Sequence, residues 1–341
     1  MLTNLIIISF ISFILFFFSS KLARNFKLID APNSRSVHKY PIPKIGGGVL
    51  GILIIFIVKF NNFDDQLEYI LCYSFLITVI GLIDDRYNLK PYTKLTLLIL
   101  PTIYLIFNGL TLKSLGNYNF IGDVNLGKFS IIFTLLCCLL IINAHNYCDG
   151  IDMLLPTIFI SNVIYLLFLN NENFYFYISI ILPITIFIFF NKEIGGLPKL
   201  FLGDSGSLTL GYLYGFIMIY LYNYKNIPPA LLIWGPCFII YEFISVSIYR
   251  IEKKRKLFQS GLDHIHHYLQ NYFKSNVRAV LIINLLNIFF IIIGYNIYKY
   301  ANSLASLISF IIMFFLFYFI RRVFIKKYYR GVEQSGSSSG S

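Results

Sequence analysis

Residues 69–83 read YILCYSFLITVIGLI, and two aspartates, Asp84 and Asp85, follow this apolar run directly. A helix needs about 20 mostly apolar residues to span a bilayer, with a lower limit of roughly 17. An ionised side chain at the centre of a membrane helix costs roughly 2.5–3.5 kcal/mol even on insertion scales. Carboxylates at the end of such a run therefore indicate a functional polar site.

Other apolar runs carry carboxylates in the same way. Asp149 and Asp152 follow FSIIFTLLCCLLIINAHNYC, Asp204 lies just before the run SLTLGYLYGF, and Glu242 lies inside LLIWGPCFIIYEFISVSIY. We expect the six carboxylates to meet at one polar site around a divalent cation.

The composition excludes an ordinary soluble domain. Of the 341 residues 57% are hydrophobic, and the mean hydropathy is +0.71. This composition predicts an all-α, polytopic membrane protein. About ten or eleven transmembrane helices are expected, because several runs are near the lower length limit. The predicted spans lie near residues 3–20, 46–60, 68–83, 95–110, 129–146, 155–170, 175–190, 207–223, 229–249, 279–298 and 302–320.

We expect residues 1–330 to form a single membrane domain. Residues 331–341 read GVEQSGSSSGS, a low-complexity composition typical of a disordered tail or an appended linker. The five cysteines lie in or beside the spans and lack metal-ligand spacing, which favours reduced packing residues.

The loop charges predict the orientation. All but five of the 28 Lys and Arg residues fall in alternate loops, and such loops are cytoplasmic by the positive-inside rule. The N-terminus is then outside and the C-terminus inside. The net charge of +12 mostly reflects this bias, and no basic-aromatic pattern indicates a nucleic-acid partner. The five exceptions are Lys59, Lys113, Lys128, Lys225 and Lys299.

The adjacent charges of Asp84 and Asp85 repel in a poorly solvated place, so they need a cation or a shared proton. A metal site or a base role would explain the pair. Alternatively, it is a helix-end anchor that pairs with Arg86 or Lys90.

The segment NAHNYCDGIDM holds four polar residues at three-residue steps, which would place them on one helix face. Such a row can bind a sugar, the edge of a base or a metal-bound water. A helix C-terminus capped by water is the alternative. The row consists of Asn143, Asn146, Asp149 and Asp152.

The segment GDSGS at 203–207 lies directly before a predicted span. Glycines let a backbone approach a phosphate, and helix N-termini favour anions. Asp204 would hold a hard cation such as Mg²⁺ through oxygen. Asp and Ser are also common N-cap residues, which is the simpler interpretation.

The segment GLDHIHHYLQ contains His264, His266 and His267 and follows the basic run RIEKKRK, which begins at Arg250. Imidazolium and guanidinium groups can neutralise a diphosphate, and histidine can move protons. Zinc and a plain basic loop are the alternatives, although H-x-H-H is not a standard zinc spacing.

The first loop carries Arg35, His38 and Lys44 before a triple glycine at 46–48. These cations could bind a phosphate group. An amphipathic surface loop is the alternative.

Taken in order, these segments resemble the polyprenyl-phosphate N-acetylhexosamine-1-phosphate transferases, which form glycosyltransferase family 4. The matching motifs are D-x-P-N-x-R-x-x-H at 30–38, GGG at 46–48, GLIDD at 81–85 with Lys94, N-A-x-N-x-x-D-G-x-D at 143–152, FLGDSGS at 201–207 and HIHH at 264–267.

The chain departs from the family pattern at several positions. Met153 stands where the family usually has glycine, and Glu242 stands where many members have aspartate. Asp263 directly precedes His264, whereas the family often has P-D-x-x-H-I-H-H. Tyr249 replaces the first residue of a frequent Arg-Arg pair. These changes bear on the sugar more than on the reaction.

The resemblance implies an active site at the cytoplasmic face of a bacterial inner membrane. The expected reaction joins UDP-N-acetylhexosamine and polyprenyl phosphate to give polyprenyl-diphospho-sugar and UMP, with Mg²⁺ or Mn²⁺. A homodimer is left open. The expected catalytic residues are Asp84, Asp85, Asp149 and His264. The expected metal ligands are Asp204, Asp84 and Asp85. The expected substrate-binding residues are Lys44, Lys94, Asn143, Asn146, Asp152, Asn191, Arg250, His266 and His267.

A transporter with a carboxylate-lined site is the main alternative from another class. Transporter sites usually lie near the bilayer midplane between repeated halves. The sequence shows no repeat, and its polar residues gather on one predicted face.

Overall fold

The computed structural model describes residues 2–32, 40–118, 122–257 and 261–337, and the side chains as far as residue 326. These residues are mostly helical. The helices are α1 (Leu2–Asn25), α2 (Gly46–Phe60), α3 (Asp65–Tyr87), α4 (Pro91–Phe107), α5 (Ser130–Cys148), α6 (Leu154–Leu169), α7 (Phe174–Asn191), α8 (Gly203–Lys225), α9 (Pro229–Leu232), α10 (Cys237–Glu252), α11 (Ile265–Phe273), α12 (Asn276–Tyr300) and α13 (Ser303–Ser337).

Two short antiparallel hairpins complete the fold. The strands are β1 (Ile29–Asp30) with β2 (Ile42–Pro43), and β3 (Ser114–Tyr118) with β4 (Gly122–Asn125). The prediction of an all-α polytopic membrane protein is confirmed. Helix α13 continues to Ser337, so its backbone enters the tail predicted to be disordered.

Each predicted span overlaps a helix in the described part of the chain. Six of these helices are long and apolar enough to cross a membrane by length and composition, and three more are shorter apolar helices. The total of ten or eleven spans stays a prediction. The six are α1, α3, the helix Gly127–Cys148 that contains α5, α7, α12 and α13 as far as Lys326; the three shorter ones are α2, α4 and α6.

The predicted span at 229–249 is interrupted in the structure. Helix α9 ends at Leu232 and α10 begins at Cys237, directly after Pro236. Proline has no N–H to donate and its ring clashes with the preceding turn, so it suits a helix start and not a helix interior. A β-carbon added at Gly235 would lie 2.0 Å from the hydroxyl oxygen of Tyr214, so the chain passes close to α8 at this break.

Helix α8 is the centre of the bundle and is buried along most of its length. Helices α2 and α3 approach it backbone to backbone, because glycines line the contacts. A β-carbon at Gly47 would lie 2.0 Å from the amide nitrogen of Gly206, and one at Gly81 would lie 2.3 Å from the Cα of Ser205. Small residues allow such close helix packing in membranes. The end of α3 and the start of α8 are therefore fixed side by side.

Backbone hydrogen bonds attach the first loop to the same place. The amide of Phe201 donates to the carbonyl of Pro43 at 2.8 Å, and the amide of Gly46 donates to the carbonyl of Phe201 at 3.0 Å. Lys44 is thereby placed beside the segment that leads into α8.

Candidate active site

The carboxylate of Asp85 holds the start of α8. Its two oxygens accept the backbone N–H groups of Asp204 at 2.9 Å and Ser205 at 3.0 Å. The ammonium group of Lys44 lies 3.2 Å from the same carboxylate. A negative charge is favourable at a helix N-terminus. Asp85 therefore positions the GDSGS segment.

Gly203 is required by this contact. Its φ is +76°, and an added β-carbon would lie 2.6 Å from the Asp85 Oδ2 atom. Only glycine combines a left-handed backbone with such a close approach.

Asp84 and Asp204 share one lysine. The Lys94 Nζ atom lies 2.7 Å from an oxygen of Asp84 and 3.3 Å from an oxygen of Asp204. The other oxygen of Asp84 accepts the amide N–H of Leu89 at 2.8 Å. The side chain of Asp204 is 35% exposed against 6% for Asp84, so Asp204 presents the more accessible carboxylate. The alternative paired Asp84 and Asp85 with Arg86 or Lys90, whereas in the structure Asp84 pairs with Lys94 and Asp85 pairs with Lys44.

The polar row of 143–152 does not stay on one helix face, because α5 ends at Cys148. Asn146 donates to Asp204 at 2.6 Å and to the hydroxyl oxygen of Ser207 at 2.8 Å. Asn143 lines the site, but its amide donates to the carbonyl of Leu139 in its own helix. Asp152 turns away to an ion pair with Lys199 at 2.7 Å.

Asp149 lies just beyond the end of α5 and close to the other carboxylates. Burial raises its pKa to about 8, with the charges of Asp204 and Asp85 adding to the shift. At neutral pH its carboxyl group is therefore mostly protonated and can donate a hydrogen bond.

The turn after Asp149 contains a residue with a left-handed backbone. Met153 has a φ of +68°, a conformation that glycine adopts more readily than methionine. Asn191 holds the turn by accepting the Met153 N–H at 2.6 Å while donating to the Leu200 carbonyl at 2.9 Å. Its buried amide is occupied by the backbone, which fits positioning better than the predicted contact with a substrate.

The three predicted histidines lie together at the start of α11. The ring centroids of His264 and His266 are 5.2 Å apart, and those of His266 and His267 are 4.3 Å apart. Buried ring nitrogens of His264 and His266 have no hydrogen-bond partner among the described residues. The buried Nδ1 atom of His264 lies 3.7 Å from Oε1 of Glu242, and the buried Nε2 atom of His266 lies against Gly150.

Burial lowers the pKa of His264 to about 3, with Arg250 adding to the shift, and burial also lowers the pKa of His266 and His267. The imidazoles are therefore neutral near pH 7. They can exchange hydrogen bonds with a diphosphate, but the structure does not support the predicted role as imidazolium cations.

Arg250 is a buried cation on the wall of the site. It donates to the Leu257 carbonyl at 2.6 Å, lies 3.4 Å from a carboxylate oxygen of Asp263, and its guanidinium carbon lies 5.5 Å from the ring centre of Tyr147. Tyr147 donates to the same Leu257 carbonyl at 2.8 Å. Tyr147 and Lys199 could not be predicted as site residues, because a single Tyr or Lys near a span end is common.

Two open cavities meet at these residues. The first has a volume of about 510 Å³ and contains Asp84, Lys94, Arg250 and the histidines. The second has a volume of about 450 Å³ and contains Lys44, Asp152, Asn191, Lys199 and Phe201. The two share Asn146, Asp149, Gly150, Asp204 and His267.

The prediction that Glu242 joins the other five carboxylates is wrong. Glu242 lines neither cavity. Its partners are Arg321 of α13 and the backbone N–H of Ile265. The sequence could not show this, because the pairing joins residues far apart in the chain. Arg35 and His38 lie outside the described residues.

The carboxylates of Asp84 and Asp204 in the first cavity fit a hard divalent cation. Among the described residues, no group of three or more His, Cys, Asp or Glu side chains forms a metal cage. Mg²⁺ is usually held by one or two carboxylates together with substrate phosphates. Asp84 and Asp204, which already share the cation of Lys94, supply such a pair.

The fold and the site together define a multi-pass helical membrane protein with a charged centre at the ends of its helices. Comparison with known proteins is consistent with this class. The profile of glycosyl transferase family 4 matches residues 67–222.

The chain is similar over nearly its whole length to proteins named undecaprenyl-phosphate alpha-N-acetylglucosaminyl 1-phosphate transferase. It is 27% identical to the protein of Escherichia coli K12, over 99% of this chain and 97% of the relative. It is 27% identical to the protein of Yersinia pestis, over 99% of this chain and 98% of the relative. A Bacillus subtilis protein named as a probable enzyme of the same kind is 26% identical, over 84% of this chain and 82% of the relative. The chain is thus similar to glycosyl transferase family 4 over residues 67–222, and to these relatives over most of its length.

Proposed function

We propose that this protein transfers an N-acetylhexosamine-1-phosphate group from a UDP-sugar to polyprenyl phosphate. The products are polyprenyl-diphospho-sugar and UMP. The observation that carries the proposal is the meeting of two polar cavities at Asp204, which shares Lys94 with Asp84 of the first cavity. The relatives, whose names state a 1-phosphate transfer to undecaprenyl phosphate, support it.

The reaction exchanges one phosphoanhydride bond for another. An oxygen of the lipid phosphate attacks the β-phosphorus of the donor, and the bond from that phosphorus to the bridging oxygen breaks. UMP leaves with the bridging oxygen. A phosphate monoester has a second pKa near 6, so its attacking oxygen is already deprotonated at neutral pH. No aspartate needs to act as a strong base.

The protein residues then act mainly by positioning and charge neutralisation, as is usual in phosphoryl transfer. Lys94 and Arg250 bring positive charge to the first cavity. Neutral His264 and His266 line the first cavity, where they can bond to phosphate oxygens. Asp149 can donate a hydrogen bond to a phosphate oxygen in its protonated form.

The second cavity suits the nucleoside. The ring of Phe201 offers a flat face, and the Lys199–Asp152 pair beside it offers hydrogen-bonding edges. The donor diphosphate would then cross the junction at Asp204 and place its β-phosphorus toward the first cavity.

Asp84 and Asp204 are the residues that would hold Mg²⁺, or Mn²⁺ in its place. When bound, the cation would neutralise charge on the donor diphosphate. Asp85 is excluded from this pair by its two bonds to backbone amides, so we propose that it shapes the site and does not bind the metal.

The proposed setting is the first membrane step of cell-surface polysaccharide synthesis, at the cytoplasmic face of the bacterial inner membrane. The donor is proposed as UDP-N-acetylglucosamine, because the relatives' names specify N-acetylglucosamine. Other UDP-N-acetylhexosamines remain to be compared in the same assay.

The test uses purified protein, polyprenyl phosphate and a panel of labelled UDP-N-acetylhexosamines. We expect labelled lipid and UMP in equal amounts, dependent on Mg²⁺ or Mn²⁺ and abolished by EDTA. Asp204→Asn should lose at least about 100-fold in kcat, since it removes one electrostatic contact to the reacting group. The matched control is Asp65→Asn, an exposed aspartate in the first turn of α3.

Movement of labelled donor across vesicles without UMP release would favour a transporter and contradict the proposal. Normal turnover by Asp204→Asn, or full activity after chelation, would contradict the metal role.

A further inference from the structure

Glu242 and Arg321 form an ion pair enclosed between α10 and α13. The Nε atom of Arg321 lies 2.9 Å from Oε2 of Glu242, and its Nη2 atom donates to Oε1 at 3.3 Å. Glu242 is 4% exposed and Arg321 is 3% exposed. Neither side chain lines the first or the second cavity. The pair therefore lies behind the wall of the site.

This pair also contacts the backbone on both sides of His264. The N–H of Ile265 donates to Oε1 of Glu242 at 2.8 Å, and Arg321 donates to the carbonyl of Asp263. His264 is the N-cap residue of α11, and its own side chain makes no capping bond. Glu242 thus takes over the cap from a different helix, with its negative charge at the positive end of α11.

A pair that served only to join α10 to α13 would need none of the contacts with residues 263–265. The backbone contacts matter because His264 and His266 line the first cavity, while the buried Nδ1 atom of His264 lies 3.7 Å from Oε1 of Glu242. Since the buried nitrogens of the two rings make no hydrogen bond, the directions of the rings depend on the backbone that carries them and on packing.

We infer that Glu242 and Arg321 are positioning residues that fix residues 263–265 and thereby aim His264 and His266 at the reacting diphosphate. The part of this inference that concerns catalysis rests on the proposed function. The part that concerns the placement of the histidines does not.

The experiment compares Arg321→Met, Glu242→Gln and the double variant with wild-type protein. Arg321→Met leaves the buried carboxylate of Glu242 without its partner, which is strongly unfavourable. Adding Glu242→Gln removes that charge but keeps an oxygen for the Ile265 N–H. Arg322→Met is the matched control, because Arg322 lies one residue on and pairs with Glu252 at the surface.

Two quantities are measured for each variant. One is kcat and KM for the UDP-sugar. The other is the rate at which diethyl pyrocarbonate modifies His264 and His266, followed by peptide mass spectrometry. The second measurement needs no activity, so it decides the placement of the histidines even if the protein transfers no sugar phosphate.

We expect Arg321→Met to lower kcat/KM about tenfold or more, since small displacements of positioned groups have effects of this size. Modification of the histidines should become faster. The double variant should reverse part of both changes, the lower kcat/KM and the faster histidine modification. Arg322→Met should match wild type in both measurements. If Arg321→Met does not fold, Arg321→Lys takes its place and should show a smaller change in the same directions.

A folded Arg321→Met or Arg321→Lys protein with wild-type kcat/KM and wild-type histidine reactivity would overturn the inference. A double variant whose loss of kcat/KM equals the combined losses of the two single variants would overturn it as well. If wild-type protein transfers no sugar phosphate but Arg321→Met still shows faster histidine modification, the placement of the histidines is supported. Only the proposed function is then contradicted.

Discussion

At the scale of single residues, the site depends on contacts that leave no space for an additional atom. Gly203 and Gly196 both have a φ of +76°, but an added β-carbon meets Asp85 only at Gly203 and meets nothing within 4 Å at Gly196. The two glycines therefore separate backbone strain from contact with the site.

We predict that Gly203→Ala displaces Asp85 and lowers kcat by about 100-fold, because misplacing groups by about 1 Å has such effects. Gly196→Ala should carry the same left-handed strain, roughly 1–2 kcal/mol, and keep most of its activity. Steady-state kinetics and thermal denaturation of both variants make the comparison. Equal activity losses in the two would show that strain, and not Asp85, is responsible.

Asp149 gives a pH-dependent prediction at the same scale. Its pKa is raised to about 8 by burial first and by Asp204 and Asp85 next, whereas an unfolded aspartate titrates near 3.9. The folded state thus binds the proton more tightly. The stability that this provides is complete below about pH 4 and is lost as the pH rises toward 8.

We therefore expect the Tm of wild-type protein in EDTA to fall relative to that of Asp149→Asn as the pH is raised from 5 to 8. The asparagine variant keeps the shape but does not titrate. Parallel Tm curves for the two proteins would show that Asp149 does not titrate in this range.

At the scale of helices, the meeting of α3 with α8 brings Asp84 beside Asp204. Gly81 permits this approach, since an added β-carbon would lie 2.3 Å from the backbone of Ser205. The hydroxyls of Thr78 and Thr209 bond across the same contact at 2.8 Å.

Gly81→Ala should push the two helices apart and separate the two carboxylates. Overpacking of this kind destabilises a protein by about 1–3 kcal/mol, and we expect most of the activity to be lost with it. Gly215→Ala on α8 is the control, because its β-carbon would make an ordinary contact of 3.6 Å with Ile141. Thermal denaturation and kinetics of both proteins test this, and full activity of Gly81→Ala would contradict the packing argument.

At the scale of the whole molecule, the orientation in the membrane remains a prediction from loop charges. It can be tested in cells with single cysteines in a background that lacks the five native ones. Cysteines at Asn62 and Glu172 should react with an impermeant reagent added outside. Cysteines at Asn88 and Lys253 should react only after the membrane is opened. The reverse pattern would place the site on the side without UDP-sugars.

Much of the site could be predicted because its residues are polar groups at the ends of long apolar runs. Asp84, Asp149 and Asp204 are predicted on this basis, and the histidine segment is predicted from its three clustered histidines; the structure places all of them around the first cavity. The roles of Asp85 and Asn191 could not be predicted, because their partners are backbone groups of residues distant in the chain.

The sequence by itself determined the helical membrane architecture, since hydrophobicity over about 20 residues is a local property that any bilayer imposes. It also determined which polar residues lie at the helix ends. Only the tertiary structure decided that Glu242 pairs with Arg321 and not with the aspartates. It likewise decided that Lys94 joins Asp84 to Asp204. Such pairings depend on which helices pack together, and helix packing is set by the close fit of small residues across the bundle.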